Sequence, residues 1–204
     1  MSSRKSPDNS STRSYGITGG IGSGKSYICS ILESHGFPVF YCDPIAKAII
    51  RNDLEVRREL AALVGQDVYT DNRLNKPVLA AFLCKGPAYA KQVDEIVHPR
   101  VAQAFLKWKE SANAPVVFME CALLFESGFD LLVDRTIQVT VSEHVRIRRV
   151  MQRDCISEEK AKAWMNLQMP EEEKAQRANY QIINDGEAPI LPQLESILKE
   201  EQTA

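Results

Sequence analysis

Apolar residues along this chain follow two rhythms that take turns. Short runs at residues 15–18, 38–41, 115–119, 135–141 and 180–183 have the length of strands, and those at 38–41 and 115–119 read as buried. Between them apolar positions recur three and four residues apart. This spacing predicts a first helix through Ile28, Ile31 and Leu32, further helices near residues 45–50, 54–64, 78–84, 93–108 and 143–154, and a closing one over 189–200. Helices also begin near Ser157 and near Pro170. Punctuation agrees with the periods: His35-Gly36 stops the first helix, Asp43-Pro44 opens the next, Asn52 and Glu55 form a capping pair, and Ser142 caps a later start. Pro99 is expected to break or kink the longest helical pattern.

Strands that alternate with helices specify an α/β fold with a five-stranded parallel sheet between helical layers. Residues 44–113 carry no strand pattern, which is too long a gap for an ordinary crossover. They form a helical insert of the kind that holds a second substrate. The core is then residues 15–43, 114–142 and 178–204. In such sheets ligands collect beyond the carboxyl ends of the strands, so residues 19–26, Asp43, Glu120 and Asn184 are expected to converge.

Composition narrows the class of partner. The chain has 204 residues, 44% of them hydrophobic, and 25 basic against 27 acidic residues leave a net charge of −2. No overall field draws it to nucleic acid or to an anionic membrane. Residues 1–14 are polar and Ser-rich with no apolar segment, and read as a disordered leader instead of a secretory signal. No apolar run reaches the ~18 residues that span a bilayer. The five cysteines are scattered without a C-x-x-C pair, which suits a reducing cytoplasm.

The chemistry centres on Gly19-Gly20-Ile21-Gly22-Ser23-Gly24-Lys25-Ser26, a G-x-x-x-x-G-K-[ST] spacing set between a strand and a helix. Glycines let backbone amides turn inward around an anion, Lys25 places a charge on the outer phosphates, and the Ser26 hydroxyl can ligate magnesium. Gly24 is read as the position where a side chain would fill the phosphate space. Asp43, just past the second strand, suits either a base that deprotonates an attacking hydroxyl or a helix cap, and the two roles are compatible. Arg146, Arg148, Arg149 and Arg153 share a helix that can neutralise transferring charge or present a solvated face, and spacing does not choose among them. His98 before Pro99 is either aimed at substrate or structural; Glu120 and Glu126 either assist a metal or lie at the surface. A guanine-nucleotide switch is disfavoured, because Asn75-Lys76-Pro77-Val78 lacks the aspartate of its base-reading motif and no Asp-x-x-Gly occurs.

Taken together, four stretches make residues 15–198 resemble the dephospho-coenzyme A kinase family. They are the loop from Thr18 to Ser26 with its double glycine, Asp43-Pro-Ile-Ala-Lys47, Ile96-Val-His-Pro99, and Arg149-x-x-x-Arg153-Asp154 with the Gln168-Met-Pro-x-Glu-x-Lys174 segment beyond it. The resemblance implies a P-loop NTPase-type three-layer fold with a helical lid over residues 143–177. It also implies transfer of the γ-phosphoryl of ATP to the ribose 3′-hydroxyl of dephospho-coenzyme A, with magnesium. Lys25, Asp43 and Arg149 would be catalytic, Gly20, Ile21, Gly22, Ser23, Gly24, Lys25, Ser26, Tyr27 and Asn184 would bind ATP, Asp43 and His98 would meet the acceptor, and Ser26 would hold the metal. Departures from the family pattern stand at Glu120, at Cys121-Ala122 and at Ile183.

Overall fold

Strands without a polar face must be covered on both sides, and the central strands of this chain obey that rule. The computed structural model describes residues 12–200. In chain order the elements are β1 (Arg13–Thr18), α1 (Lys25–Ser34), β2 (Val39–Tyr41), α2 (Cys42–Asn52), α3 (Leu54–Val64), β3 (Tyr69–Thr70), β4 (Arg73–Leu74), α4 (Lys76–Leu83), α5 (Pro87–Ser111), β5 (Val116–Glu120), β6 (Arg135–Thr140), α6 (Glu143–Asp154), α7 (Glu158–Met165), α8 (Glu171–Arg177), β7 (Tyr180–Ile183) and α9 (Ile190–Glu200). The five long strands make one sheet in the order β2-β5-β1-β6-β7. β1 lies at its centre, parallel to β5 and to β6, and β6 is parallel to β7. The chain divides into two compact units, one of them Tyr41–Trp108 and the other built from the chain on either side of it.

In the sheet-bearing unit Ile17, Val117, Phe118, Met119, Ile137, Val139 and Ile182 are fully buried, joined by Ile28, Cys29 and Leu32 of α1. Tyr15 stacks on Phe118 at 5.4 Å between ring centres, and Phe37 meets the same ring edge-on at 5.6 Å. The first strand starts at Arg13, inside the stretch read from sequence as leader. Polar residues at this start misled because they find tertiary partners: Thr12 Oγ1 donates to the Ala114 carbonyl at 3.1 Å, and Ser14 donates from both N and Oγ to Asp134 Oδ2 at 2.7 and 2.8 Å. Residues 1–11, the rest of that expected leader, lie outside the described residues.

The Tyr41–Trp108 unit is helical but not free of strands. β3 and β4 form a two-residue hairpin, Tyr69 opposite Leu74, turning through Asp71 and Asn72 at φ of 49° and 61°. α3 is capped by Asp53, which accepts from the amides of Glu55 and Val56 at 2.9 and 3.0 Å, so the cap is one residue later than the Asn52 predicted. Pro99 does not interrupt α5, whose 25 residues run through it. Val93, Val97, Val101 and Phe105 are all buried at four-residue spacing on either side of the proline, and that common apolar stripe keeps both halves in one helix despite the missing N–H.

α5 begins at Pro87, earlier than the residue 93 expected; the remaining starts lie closer to the prediction, although Ser142 precedes α6 without a side-chain capping bond and Pro170 sits just before α8 instead of within its first turn. All five cysteines are free, with Cys29, Cys42 and Cys121 buried and Cys84 and Cys155 exposed. Among the described residues no helix is long and apolar enough to cross a membrane.

Candidate active site

The central strand β1 ends at Thr18 and the chain turns through the glycine-rich loop directly into α1. Gly24 occupies the cap position of that helix at φ 95°, a left-handed conformation that disfavours any residue with a Cβ. Steric reasons reinforce the torsional one. A Cβ there would collide with the Asn184 side-chain amide, which corrects the expectation that the space belongs to phosphate. Asn184 follows β7, is buried, donates from Nδ2 to the Ser23 carbonyl at 2.8 Å, and is itself tied through its backbone amide to Thr140 at 2.9 Å. Two strand ends thus shape the loop, as the topology predicts.

Lys25 begins α1 with its side chain folded back into the loop, Nζ donating to the Gly19 carbonyl at 2.7 Å and to Gly20 at 3.4 Å. It is 9% exposed. Burial holds its ammonium below the usual lysine range, the Glu120 carboxylate at the end of β5 opposes that shift, and the charge of Lys174 adds to it. Helix N-terminal amides and an ammonium held without strong carboxylate pairing make this end of the sheet a place for polyanions. Ser26 and Tyr27 are exposed on the first turn.

The four arginines of α6 separate clearly. Arg149 donates to the carbonyls of Gly22 (3.4 Å), Ser23 (3.2 Å) and Asn184 (3.0 Å), so its guanidinium grips the outer, carbonyl side of the loop. Arg146 is buried, paired with Glu171 at 3.1 Å, and lies against Gly20 so closely that a Cβ on that glycine would meet its Nη1 at 2.5 Å. Arg153 is exposed and bound to its neighbour Asp154 at 2.7 Å, and Arg148 lines an outer surface groove with His144 and Met151. Ile21 faces the helices beyond: its amide donates to Gln168 Oε1 at 2.8 Å, and its side chain packs on the cluster of Ile147, Val150, Ala161 and Met165.

Gln138, which the sequence did not single out, belongs to this site together with Lys174 and Glu126. Gln138 is buried on β6 and donates to Glu171, and Lys174 on α8 is fully buried near Glu126 and Glu171. A glutamine between the apolar Ile137 and Val139 was the available signal for Gln138. Lys174 entered the sequence reading only as the last residue of the Gln168-to-Lys174 stretch that carries the resemblance, with no role of its own. Glu126 accepts from the Met169 amide at 2.9 Å, which commits it to this neighbourhood. Among the described residues no cluster of three His, Cys, Asp or Glu side chains could hold a metal ion.

Asp43 and His98 belong to the Tyr41–Trp108 unit. The cap of α2 is Tyr41, with Asp43 inside the first turn, so the aspartate is not held as a cap. Its side chain is 77% exposed and pairs only loosely with Lys47, one turn on at 3.5 Å. His98 stands 3.4 Å from Asp94 on the preceding turn of α5; burial raises the Asp94 carboxyl and the histidine opposes that rise.

The family model described as dephospho-CoA kinase matches residues 14–189. A dephospho-CoA kinase of Bacteroides fragilis is 42% identical over 180 residues, 88% of either chain. A crystal structure of a Thermus thermophilus protein superposes with a TM-score of 0.81 at 35% identity, covering 93% of this chain and 97% of that one. The dephospho-CoA kinase of Campylobacter jejuni does so at 0.61 and 26% identity, covering 93% and 95%.

Proposed function

The chain belongs to the dephospho-CoA kinase family, and from that membership we propose how its own residues divide the work of the reaction. The reaction moves the γ-phosphoryl group of ATP to the ribose 3′-hydroxyl of dephospho-coenzyme A. Little covalent chemistry falls to the protein, so catalysis is positioning and charge neutralisation.

In this proposal the loop from Gly20 to Ser26 and the first turn of α1, as far as Tyr27, receive the triphosphate. Lys25 exchanges its bonds to the Gly19 and Gly20 carbonyls for phosphate oxygens. That exchange is favourable because a buried ammonium with only neutral acceptors gains most from an arriving anion. The buried Lys25 ammonium at the start of α1 is the observation that carries the reading. Asn184 and Arg149 hold the loop from its carbonyl side, where the nucleoside end of ATP would lie.

Asp43 takes the proton of the ribose hydroxyl, a role supported by its exposure and by the absence of a capping duty. His98, steadied by Asp94, meets the acceptor within the helical insert of residues 44–113. Residues 143–177 act as the lid that excludes water, without which ATP would be hydrolysed.

Magnesium fits the donor set. The exposed Ser26 hydroxyl and the lack of a three-ligand protein cluster among the described residues suit an ion that keeps waters and binds mainly through substrate phosphates. When bound it supplies positive charge to the bridging phosphate oxygens. Only small molecules are required as partners, with neither nucleic acid nor membrane, and the free cysteines support a cytoplasmic setting.

The test is ADP release with ATP and magnesium, offered dephospho-coenzyme A, AMP, adenosine, gluconate or no acceptor, with the product weighed by mass spectrometry. Turnover with dephospho-coenzyme A and a gain of one phosphate is expected. Preference for another acceptor would overturn the proposed acceptor site.

A further inference from the structure

Lys174 is the most buried charged side chain among the described residues, at 0% exposure, and its Nζ makes no hydrogen bond. An ammonium removed from water costs several kcal/mol unless it is compensated, so its neighbours define its purpose. Two carboxylates flank it at 3.7 Å each, Glu126 from the segment after β5 and Glu171 from the start of its own helix α8.

Each carboxylate is tied onward. Glu126 Oε1 accepts from the Met169 amide at 2.9 Å. Glu171 pairs with Arg146 of α6 at 3.1 Å and accepts from Gln138 of β6, through its side chain at 3.3 Å and through its carbonyl at 3.0 Å. Lys174 thus sits where the post-β5 segment, β6, α6 and α8 meet.

On its other side this cluster touches the phosphate loop. Glu171 Oε1 and Arg146 Nη1 leave Gly20 no room for a Cβ, at 2.6 and 2.5 Å, while Gln168, three residues before Glu171, receives the Ile21 amide at 2.8 Å. The charges of Lys174 and Glu171 both reach Lys25.

We propose that Lys174 is a positioning residue for phosphoryl transfer: its buried ammonium holds Glu126 and Glu171 together and thereby fixes the Gly20–Ile21 half of the phosphate loop. The proposal rests on the reading of that loop as the ATP site. A pair kept only for stability would be indifferent to which ligand is bound. A positioning residue is not.

The experiment compares Lys174→Met, Lys174→Arg and the double variant Glu126→Gln/Lys174→Met with the wild type. It reads kcat and KM for ATP, calorimetric affinities for ATP and for adenosine, and Tm. For Lys174→Met, kcat is expected to fall on the order of a hundredfold, the cost of a loop misplaced by about an ångström. ATP affinity should weaken while adenosine affinity holds.

Should the single variant fail to fold, the double variant, which also removes one of the two facing carboxylates, is expected to recover Tm while kcat stays low. Lys174→Arg should return kcat to within about tenfold of wild type, since the charge is kept. Equal weakening of ATP and adenosine, recovery of kcat together with Tm in the double variant, or an arginine variant that folds yet is as slow as the methionine one would each overturn the proposal. If the wild type failed to use dephospho-coenzyme A, the acceptor reading would fall, yet the ratio of ATP to adenosine affinity would still judge Lys174.

Discussion

At the scale of single residues, the phosphate loop is organised by compensation. Lys25 is a charge kept out of water in front of backbone carbonyls, and burial disfavours its charged form. Lys25→Met therefore should leave the ligand-free protein equally or more stable, because an apolar side chain of similar length removes a desolvation cost. Transfer should be abolished. Differential scanning calorimetry of the ligand-free variant checks the first point, and a marked drop in Tm would instead make Lys25 a net structural donor. Asp43 has the opposite character, being exposed and loosely paired. Asp43→Asn is expected to reduce kcat by roughly 10²- to 10⁴-fold, the usual worth of a general base, with ATP affinity by calorimetry nearly unchanged. Unimpaired turnover would remove it from the chemistry.

At the scale of elements, the return from α7 to α8 is fastened to the loop by one side chain. Gln168→Leu deprives the Ile21 amide of its acceptor, at a cost of about 1–3 kcal/mol if that amide stays dry. Hydrogen exchange at residues 20–22 should accelerate, and unchanged protection there would show the contact to be dispensable. The central strands were readable from sequence because parallel strands buried on both faces leave apolar runs, as at Val116–Glu120, whose middle residues are all buried. The loop was readable because its glycines, Lys25 and Ser26 are local in sequence. What escaped was set by tertiary partners: the start of β1 depends on Ser14 meeting Asp134, β3 and β4 are too short to alternate, and the choice between Arg146 and Arg149 depends on which carbonyls and carboxylates they meet. The role of Lys174 was not readable for the same reason, since its burial and its carboxylate neighbour Glu126 both depend on parts of the chain far away in sequence.

At the scale of the whole molecule, the sheet is tied at the start of β1 by a polar knot. Burial would push the Asp134 carboxyl up, but hydrogen bonds from Ser14 and the Lys109 ammonium hold it below the ordinary aspartate range. A folded value below the unfolded one gives stability that is present above the unfolded value, about 3.9, and is lost as pH falls through the folded one. The difference in Tm between wild type and Asp134→Asn should accordingly be constant near neutrality and shrink below about pH 4. A difference that persists into acid would assign it to packing. The distribution of thiols offers a practical gain. Cys29 is pushed up to about 12 by burial, and Cys42 and Cys121 are buried as well, whereas Cys84 and Cys155 are exposed, one in each compact unit. Two equivalents of a maleimide should react quickly and three more only after denaturation. The native chain thus carries its own pair of attachment points for fluorescent dyes, and energy transfer between them would report any change in spacing during turnover without a single engineered cysteine.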